Sequence, residues 1–149
     1  MTQVDLFAED SLFRTKGYIL SDENIDDSFV VRLYKSEDYS GLLPKLTELG
    51  LDWQTKYNDM TFSNPYDYFT YRLLLKPKLL ANHGCFLTFT KRYGLSVWLQ
   101  KEEKLLNSNG IRFPILTVEL FHSLYQQEHN RTHNLLHRKV LSLKNPTLN

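Results

Sequence analysis

The sequence has little cysteine, no long apolar run and no basic N-terminal leader, and each absence narrows the class of protein. Its one cysteine, Cys85, excludes a disulfide within the chain, which fits a reducing compartment. The longest uninterrupted apolar stretches are about three residues, as at 73–75, whereas a membrane span needs roughly 20. The first 16 residues show neither the basic region nor the apolar region of a signal peptide. We therefore expect a cytoplasmic protein with no membrane partner.

The motifs that define common enzyme classes are also absent. The sequence contains no P-loop, no G-x-S-x-G and no H-E-x-x-H. Asp67 followed by Glu102-x-Lys104 resembles the scattered acids and Glu-x-Lys of metal-dependent nucleases, but this pattern arises often by chance. We expect a protein without catalytic activity and without a cofactor, and we keep a metal-dependent hydrolase or nuclease as the third hypothesis.

What the sequence does contain is typical of one compact domain. Apolar residues make up 42% of the 149 positions, and aromatic residues make up 13%. Aromatic side chains bury a large area each, so a core can form at this length. We expect a single domain over residues 1–149, with a possible loose arm or short helix at 1–16 and a loose tail at 142–149.

Two β-hairpins are predicted from runs rich in β-branched and aromatic residues. Residues 17–20 and 28–34 flank the polar loop 21–27 and predict a first hairpin. Residues 85–90 and 95–100 flank a turn that contains Gly94, and they predict a second hairpin with a basic, aromatic tip. Along this hairpin Thr88, Thr90, Ser96 and Trp98 alternate with Leu87, Phe89, Val97 and Leu99.

Helices are predicted where start and stop signals enclose a helical spacing of apolar residues. A short helix should run from Ser40 or Gly41 to Leu49, with Gly50 as its C-terminal cap. A second helix should begin at Asn64-Pro65, although residues 67–75 could also form a strand. Residues 101–106 also have a helical pattern. The longest predicted helix covers about 117–141, with a possible break near Asn130. Together these elements predict an α+β domain with small antiparallel hairpins, short helices and a long C-terminal helix.

Charge is divided unevenly along the chain. Up to Asp67 there are 13 acids and six bases, a net charge of −7, whereas from Tyr68 onward there are four acids and 12 bases, a net charge of +8. Such asymmetry indicates either an acidic or basic partner or mutual neutralisation of the two halves within the fold. The sequence leaves both interpretations open.

Basic residues of the C-terminal half predict a surface for nucleic acid. No acid follows Glu128, and clustered Lys and Arg on a helix favour contact with phosphates. On an ideal helix two of the arginines, Arg131 and Arg138, share a face away from the apolar stripe. The hairpin tip adds two charges and a ring on which a base can stack. The predicted nucleic-acid-binding residues are Lys91, Arg92, Tyr93, Arg131, Arg138 and Lys139.

Acidic residues of the first predicted loop support a different hypothesis. Four carboxylates lie within six residues, and they could dock onto a basic protein as a mimic of a phosphate backbone: Asp22, Glu23, Asp26 and Asp27. The loop lacks the D-x-D-x-D-G spacing of a calcium loop, so a solvated turn is the alternative.

Four histidines form the most regular pattern in the chain. His122, His129, His133 and His137 fall within about 80° of one face of an ideal helix. Histidine pairs at this spacing can bind Zn²⁺, but a structural zinc site needs four ligands, and Cys85 is the only thiol. We predict no native metal site and keep His129, His133 and His137 as weak candidates; a polar strip beside the core is the alternative.

The leading functional hypothesis is a non-catalytic protein that binds nucleic acid or a nucleoprotein complex through its basic half. The alternative is a protein-directed inhibitor or adaptor, of the kind that phages direct at nucleic-acid enzymes, docking its acidic half onto a basic protein.

Overall fold

The computed structural model describes residues 4–20 and 27–144. Within them the chain forms five α-helices, a four-stranded sheet and a two-stranded sheet, which confirms the predicted α+β class and the long C-terminal helix. The helices are Leu12–Thr15 (α1), Ser36–Glu48 (α2), Pro65–Leu75 (α3), Pro77–Leu80 (α4) and Val118–Lys144 (α5). The strands are Ser28–Leu33 (β1), Thr55–Tyr57 (β2), Met60–Phe62 (β3), Gly84–Thr90 (β4), Gly94–Gln100 (β5) and Ile115–Leu116 (β6).

The main sheet has the strand order β5-β4-β1-β6. Strands β4 and β5 form the predicted second hairpin, in which Thr90 pairs with Gly94. The predicted first hairpin is wrong, because residues 17–20 form no strand. Instead β1 pairs antiparallel with β4 and parallel with β6. The apolar run of β1 is typical of a central strand that is covered on both faces.

One face of the sheet carries the main core. Phe29, Val31 and Leu33 of β1 point into it, together with Leu87 and Phe89 of β4. Helices α1, α2, α3 and α5 supply the opposing apolar side chains. Aromatic rings form its centre, since Phe29 lies 4.9 Å from Phe89 and 5.2 Å from Phe13 between ring centroids.

The other face of the sheet is covered by a connection rather than by a helix. Residues 101–114 link β5 to β6, and Leu105 and Phe113 of this segment pack on Val30 and Phe86. Thr88 lies on the same face and is fully buried. The alternating pattern of β4 therefore does not produce the solvated polar face that such alternation usually indicates.

Capping residues account for the start of two helices. Asn64 Oδ1 accepts hydrogen bonds from the backbone N–H groups of Tyr66 and Asp67, so α3 begins where the sequence predicts. Helix α2 begins at Ser36, four residues earlier than predicted, because Asp38 Oδ2 accepts from the N–H groups of Tyr34 and Lys35. Of the predicted helix over 101–106 only a 3₁₀ turn at Glu102–Lys104 forms.

Helix α5 is continuous, without a break at Asn130, and it has two distinct halves. The first half buries Val118, Phe121, Leu124, Tyr125 and Glu128 against the body of the molecule. Every residue from His133 to Lys144 is exposed. The buried stripe of the first half does not continue through Leu135 and Leu136, which are 47% and 38% exposed.

The N-terminal segment packs onto the core over its described part. Val4, Leu6 and Phe13 are buried, and α1 is the short helix that was one of the two alternatives. At the other terminus α5 extends to Lys144, and the rest of the expected tail lies outside the described residues. Among the described helices none has the length and apolar character needed to cross a bilayer.

Candidate binding site at one end of the sheet

The tip of the β4–β5 hairpin presents its basic and aromatic residues to solvent. Thr90 Oγ1 accepts a hydrogen bond from the N–H of Tyr93 and donates to the carbonyl of Gly94, which fixes the turn. Gly94 has a φ of +76°, a conformation that favours glycine. The Arg92 guanidinium lies 5.2 Å from the centre of the Tyr93 ring, and Tyr93 is 70% exposed.

The exposed half of α5 leaves the body at the same end of the sheet. Glu48, at the end of α2, lies 3.4 Å from His129 of α5. The next residues of the chain, Leu49 and Leu51, line a cavity together with Thr90 and Gly94 of the hairpin. From His129 the helix continues for 15 residues, roughly 22 Å at 1.5 Å per residue. Arg138 and Lys139 therefore belong to the end of the molecule that carries the hairpin tip.

Arg131 has a different environment from the other predicted phosphate contacts. Its Nε donates to Glu128 Oε2 at 3.2 Å and its Nη2 donates to Glu128 Oε1, while Nη1 donates to Asp10 at 3.2 Å. Glu128 is fully buried and also accepts from the N–H of Leu12 at 2.8 Å. The hydrogen bonds to Glu128 raise the pKa of Arg131. Arg131 thus faces the core carboxylate, contrary to the expectation that it points away from the core.

The basic side chains fall into two groups, those that have a carboxylate partner and those that do not. Arg14 pairs with Asp27, Arg32 with Glu102 at 3.5 Å, and Arg131 with Glu128 and Asp10. Over residues 4–20 and 27–144, four of the predicted contact residues have no carboxylate within 4.0 Å: Lys91, Arg92, Arg138 and Lys139. Among these pairs only Arg131–Asp10 joins a base of the C-terminal half to an acid of the N-terminal half, and most other bases of the described residues also have no carboxylate within this distance.

Most of the acidic loop lies outside the described residues. Asp22, Glu23 and Asp26 fall there, so the proposed docking surface is represented by Asp27 alone. The Asp27 carboxylate pairs with Arg14, and its backbone carbonyl accepts from the N–H of Lys91. Asp27 therefore serves as an internal partner.

Of the four histidines on α5, two contact a polar or charged side chain and two are exposed to solvent. His122 Nδ1 lies 2.7 Å from Lys45 Nζ, and His129 lies beside Glu48. His133 and His137 are on the exposed half of α5. The described residues contain no group of three or more His, Cys, Asp or Glu side chains arranged to hold a metal ion.

His122 should make stability depend on pH. Burial and the neighbouring Lys45 lower its pKa, against smaller opposing effects of Glu119 and Asp38. The unfolded chain then binds more protons than the folded protein below about pH 6.5, so stability present at neutral pH is lost as pH falls. We expect His122→Gln to flatten the fall in unfolding free energy between about pH 7 and pH 5, measured by urea denaturation. His133→Gln, at an exposed position, is the control and should keep the wild-type slope; equal slopes in all three proteins would contradict the prediction.

Cys85 is the one cysteine of the chain, and its surroundings do not suit a nucleophile. Cys85 is fully buried at the start of β4, and burial raises the pKa of its thiol to about 12. A thiol must ionise to attack a substrate, so Cys85 acts as a small core residue.

A cavity of about 300 Å³ lies beside the hairpin tip, on the face of the sheet covered by residues 101–114. Trp98, Phe113 and Tyr93 form apolar walls, and Ser28, Thr88 and Asn107 add polar groups. Ser28 is 2% exposed and Thr88 is fully buried. Their hydroxyl oxygens and Asn107 Nδ2 have no hydrogen-bond partner within the described part of the chain. Sequence reasoning missed this site; the only signal was a pair of hydroxyl residues within otherwise apolar strands.

The missing partner of Thr88 predicts an unusual response to mutation. A buried polar group without a partner costs about 1–3 kcal/mol, so Thr88→Val should stabilise the protein by about 1 kcal/mol. Thr90→Val is the matched variant on the same strand; it removes two hydrogen bonds and should destabilise by about 1 kcal/mol. Opposite shifts in the urea midpoint check this, and destabilisation of similar size in both variants would refute it.

Comparison of the chain with protein-family models, curated proteins and solved structures finds no match.

Proposed function

We propose that this protein is a non-catalytic binding protein that contacts the phosphates of a nucleic acid with the hairpin tip and the exposed half of α5. The observation that carries the proposal is that four of the bases without carboxylate partners in the described structure belong to the hairpin tip and to the exposed half of α5: Lys91, Arg92, Arg138 and Lys139. Both parts of the surface lie at one end of the sheet. Phosphate contacts supply most of the affinity of sequence-independent nucleic-acid binding.

Tyr93 adds a feature that favours single strands. Its ring is 70% exposed and carries Arg92 over one face. Unpaired bases stack on exposed aromatic rings and on arginine planes, with about 1–3 kcal/mol per base. A duplex keeps its bases stacked internally, so it would use the phosphate contacts only.

Salt dependence of binding tests the proposal. Affinity of labelled single-stranded and duplex oligonucleotides, measured by fluorescence anisotropy, should fall steeply between about 50 and 200 mM salt. Replacing Lys91 and Arg92 together by Gln should reduce the slope of log K against log salt by about 1.5, since each phosphate contact contributes about 0.7–0.9. The pair Arg138 and Lys139 should behave in the same way.

A matched control removes the same charge elsewhere. Lys76 and Lys78 precede β4 at the end of the sheet opposite to the hairpin tip, and both are exposed. Replacing both by Gln should leave the slope unchanged. The proposal fails if this control lowers the slope as much as the test variants, or if the wild-type protein binds neither oligonucleotide at low salt.

A second function is favoured by the apolar residues of the exposed half of α5. Leu136, Val140 and Leu143 are 38%, 39% and 74% exposed, and their i, i+4, i+7 spacing forms one stripe. A nucleic acid would leave this stripe in water, whereas an acidic amphipathic segment of a protein could cover it and pair with the adjacent bases. The protein would then be an adaptor that uses its basic end, not its acidic loop.

Substitution of the stripe separates the two functions. Replacing Leu136, Val140 and Leu143 together by Asn should leave oligonucleotide binding and thermal stability unchanged if nucleic acid is the partner. If the partner is a protein, the same variant should lose a stoichiometric complex that the wild-type protein keeps at high salt.

A further inference from the structure

The cavity beside the hairpin tip has the construction of a ligand site. Its volume of about 300 Å³ lies at the lower limit of small-molecule pockets, about 300–1,000 Å³. Two of its polar residues, Ser28 and Thr88, are almost completely removed from solvent. Their hydroxyls have no partner among the described residues, although the great majority of buried polar atoms in native proteins are hydrogen-bonded.

The side-chain amide of Asn107 offers an N–H donor of fixed orientation to the same cavity. Its Oδ1 accepts from the N–H of Asn109 at 2.9 Å and from the N–H of Ile111 at 3.0 Å. These two bonds assign the oxygen side of the amide, so the unpartnered Nδ2 is the group left for the cavity. A ligand must therefore offer an acceptor to Asn107, while the hydroxyls of Ser28 and Thr88 can donate or accept.

The side chains that line the cavity determine the shape and the charge of a ligand that fits it. Trp98 and Phe113 meet edge to face, with centroids 5.4 Å apart, and Tyr93 stands at the solvent side. Among residues 4–20 and 27–144, no charged side chain lines the cavity. Flat aromatic surfaces suit a flat ring, and a charged group would enter without a counter-ion at high cost.

From these contacts we infer that the cavity binds a neutral heteroaromatic ring, single or fused, whose polar edge includes a hydrogen-bond acceptor. The site binds this ring whether or not the basic end of the protein binds a nucleic acid. Two kinds of ligand can supply such a ring: a free small molecule and an unpaired base of a nucleic-acid strand.

Two fused-ring probes of nearly equal size test the inference. Isoquinolin-1-one is a neutral fused ring with a carbonyl and an N–H, and naphthalene is its counterpart without polar atoms. Titration followed by NMR should shift the side-chain amide signal of Asn107 with isoquinolin-1-one. The affinity for isoquinolin-1-one should exceed that for naphthalene by about tenfold, as expected for one to two hydrogen bonds.

Variants locate the binding and control for changes in folding. Thr88→Val keeps the shape of the side chain and should weaken isoquinolin-1-one binding by about fivefold without changing the affinity for naphthalene. Trp98→Leu should weaken both probes, whereas Trp53→Leu, at the other tryptophan, should weaken neither. Trp53 packs on Tyr68, away from the cavity lining.

The outcomes separate a ligand site from a hydrated gap. Equal affinity for both probes, an unchanged preference in Thr88→Val, or no shift with either probe would overturn the inference. If a single-stranded oligonucleotide displaces bound isoquinolin-1-one, a base in a strand is the natural occupant. If the probe binds equally well in its presence, the source is a free small molecule; this result would stand even if the protein bound no nucleic acid.

Discussion

Arg131→Met is expected to destabilise the protein by about 3 kcal/mol, because breaking a buried ion pair leaves an uncompensated charge inside. The remaining charge would be Glu128, which is fully buried and would keep only the N–H of Leu12 as a donor. Asp10 contributes little, since its side chain is 71% exposed. Urea denaturation at neutral pH measures the effect as a loss of unfolding free energy.

Arg138→Met is the matched control on the same helix. Arg138 is exposed and has no carboxylate partner within the described residues, so the change should stay within about 0.5 kcal/mol. Replacing Glu128 and Arg131 together by Met should recover most of the loss, to within about 1 kcal/mol of wild type, because only the N–H of Leu12 is then unsatisfied. Similar stabilities of the Arg131 and Arg138 variants would show that the ion pair between Arg131 and Glu128 does not stabilise the fold.

Phe29→Ala is expected to destabilise by about 4 kcal/mol, the usual cost of truncating a large buried aromatic side chain. Phe29 is fully buried at the centre of the main core, where its ring contacts Phe13, Phe89 and Phe121. Its removal would open a cavity between β1, α1 and α5, which the surrounding helices can close only in part. The loss is comparable to the whole stability of many small domains, so a substantial unfolded fraction is expected.

Leu74→Ala is the control for Phe29→Ala. Leu74 lies on α3 and is 76% exposed, so its truncation should cost no more than about 0.5 kcal/mol. A loss below about 1 kcal/mol for Phe29→Ala would mean that the aromatic cluster is not the centre of the core.

Elements with strong local signals could be predicted from the sequence. The β4–β5 hairpin combines two β-rich runs with a turn that ends at Gly94. Helix α3 has its cap at Asn64, and α5 has a long run without Gly or Pro. In each case the residues that determine the element are its own neighbours in the chain.

The β2–β3 hairpin was missed although a local signal existed. Asn58 and Asp59 both have positive φ, 50° and 61°, which is the conformation of a type I′ turn. The flanking strands have only three residues each, too few for the alternating pattern that indicates a strand.

Only part of the candidate site could be predicted from neighbouring residues in the sequence. The sequence identified Lys91, Arg92 and Tyr93 at a hairpin tip, and the structure places them in solvent there. It could not tell that Arg131 pairs with Asp10, 121 positions away, because side-chain partners at that separation depend on how the helices pack. The cavity could not be predicted from the sequence either, because Thr88 becomes buried only when residues 101–114 cross the sheet.

The sequence by itself determined the α+β class, the second hairpin, the capped helix α3 and the extent of α5, because these follow from capping, turn residues and periodicity over a few neighbouring positions. The tertiary structure decided which strand pairs with β1, which bases are neutralised and which hydroxyls are buried. Those outcomes depend on contacts between residues far apart in the chain, where many alternative pairings satisfy the same local pattern and only packing of the whole core selects one.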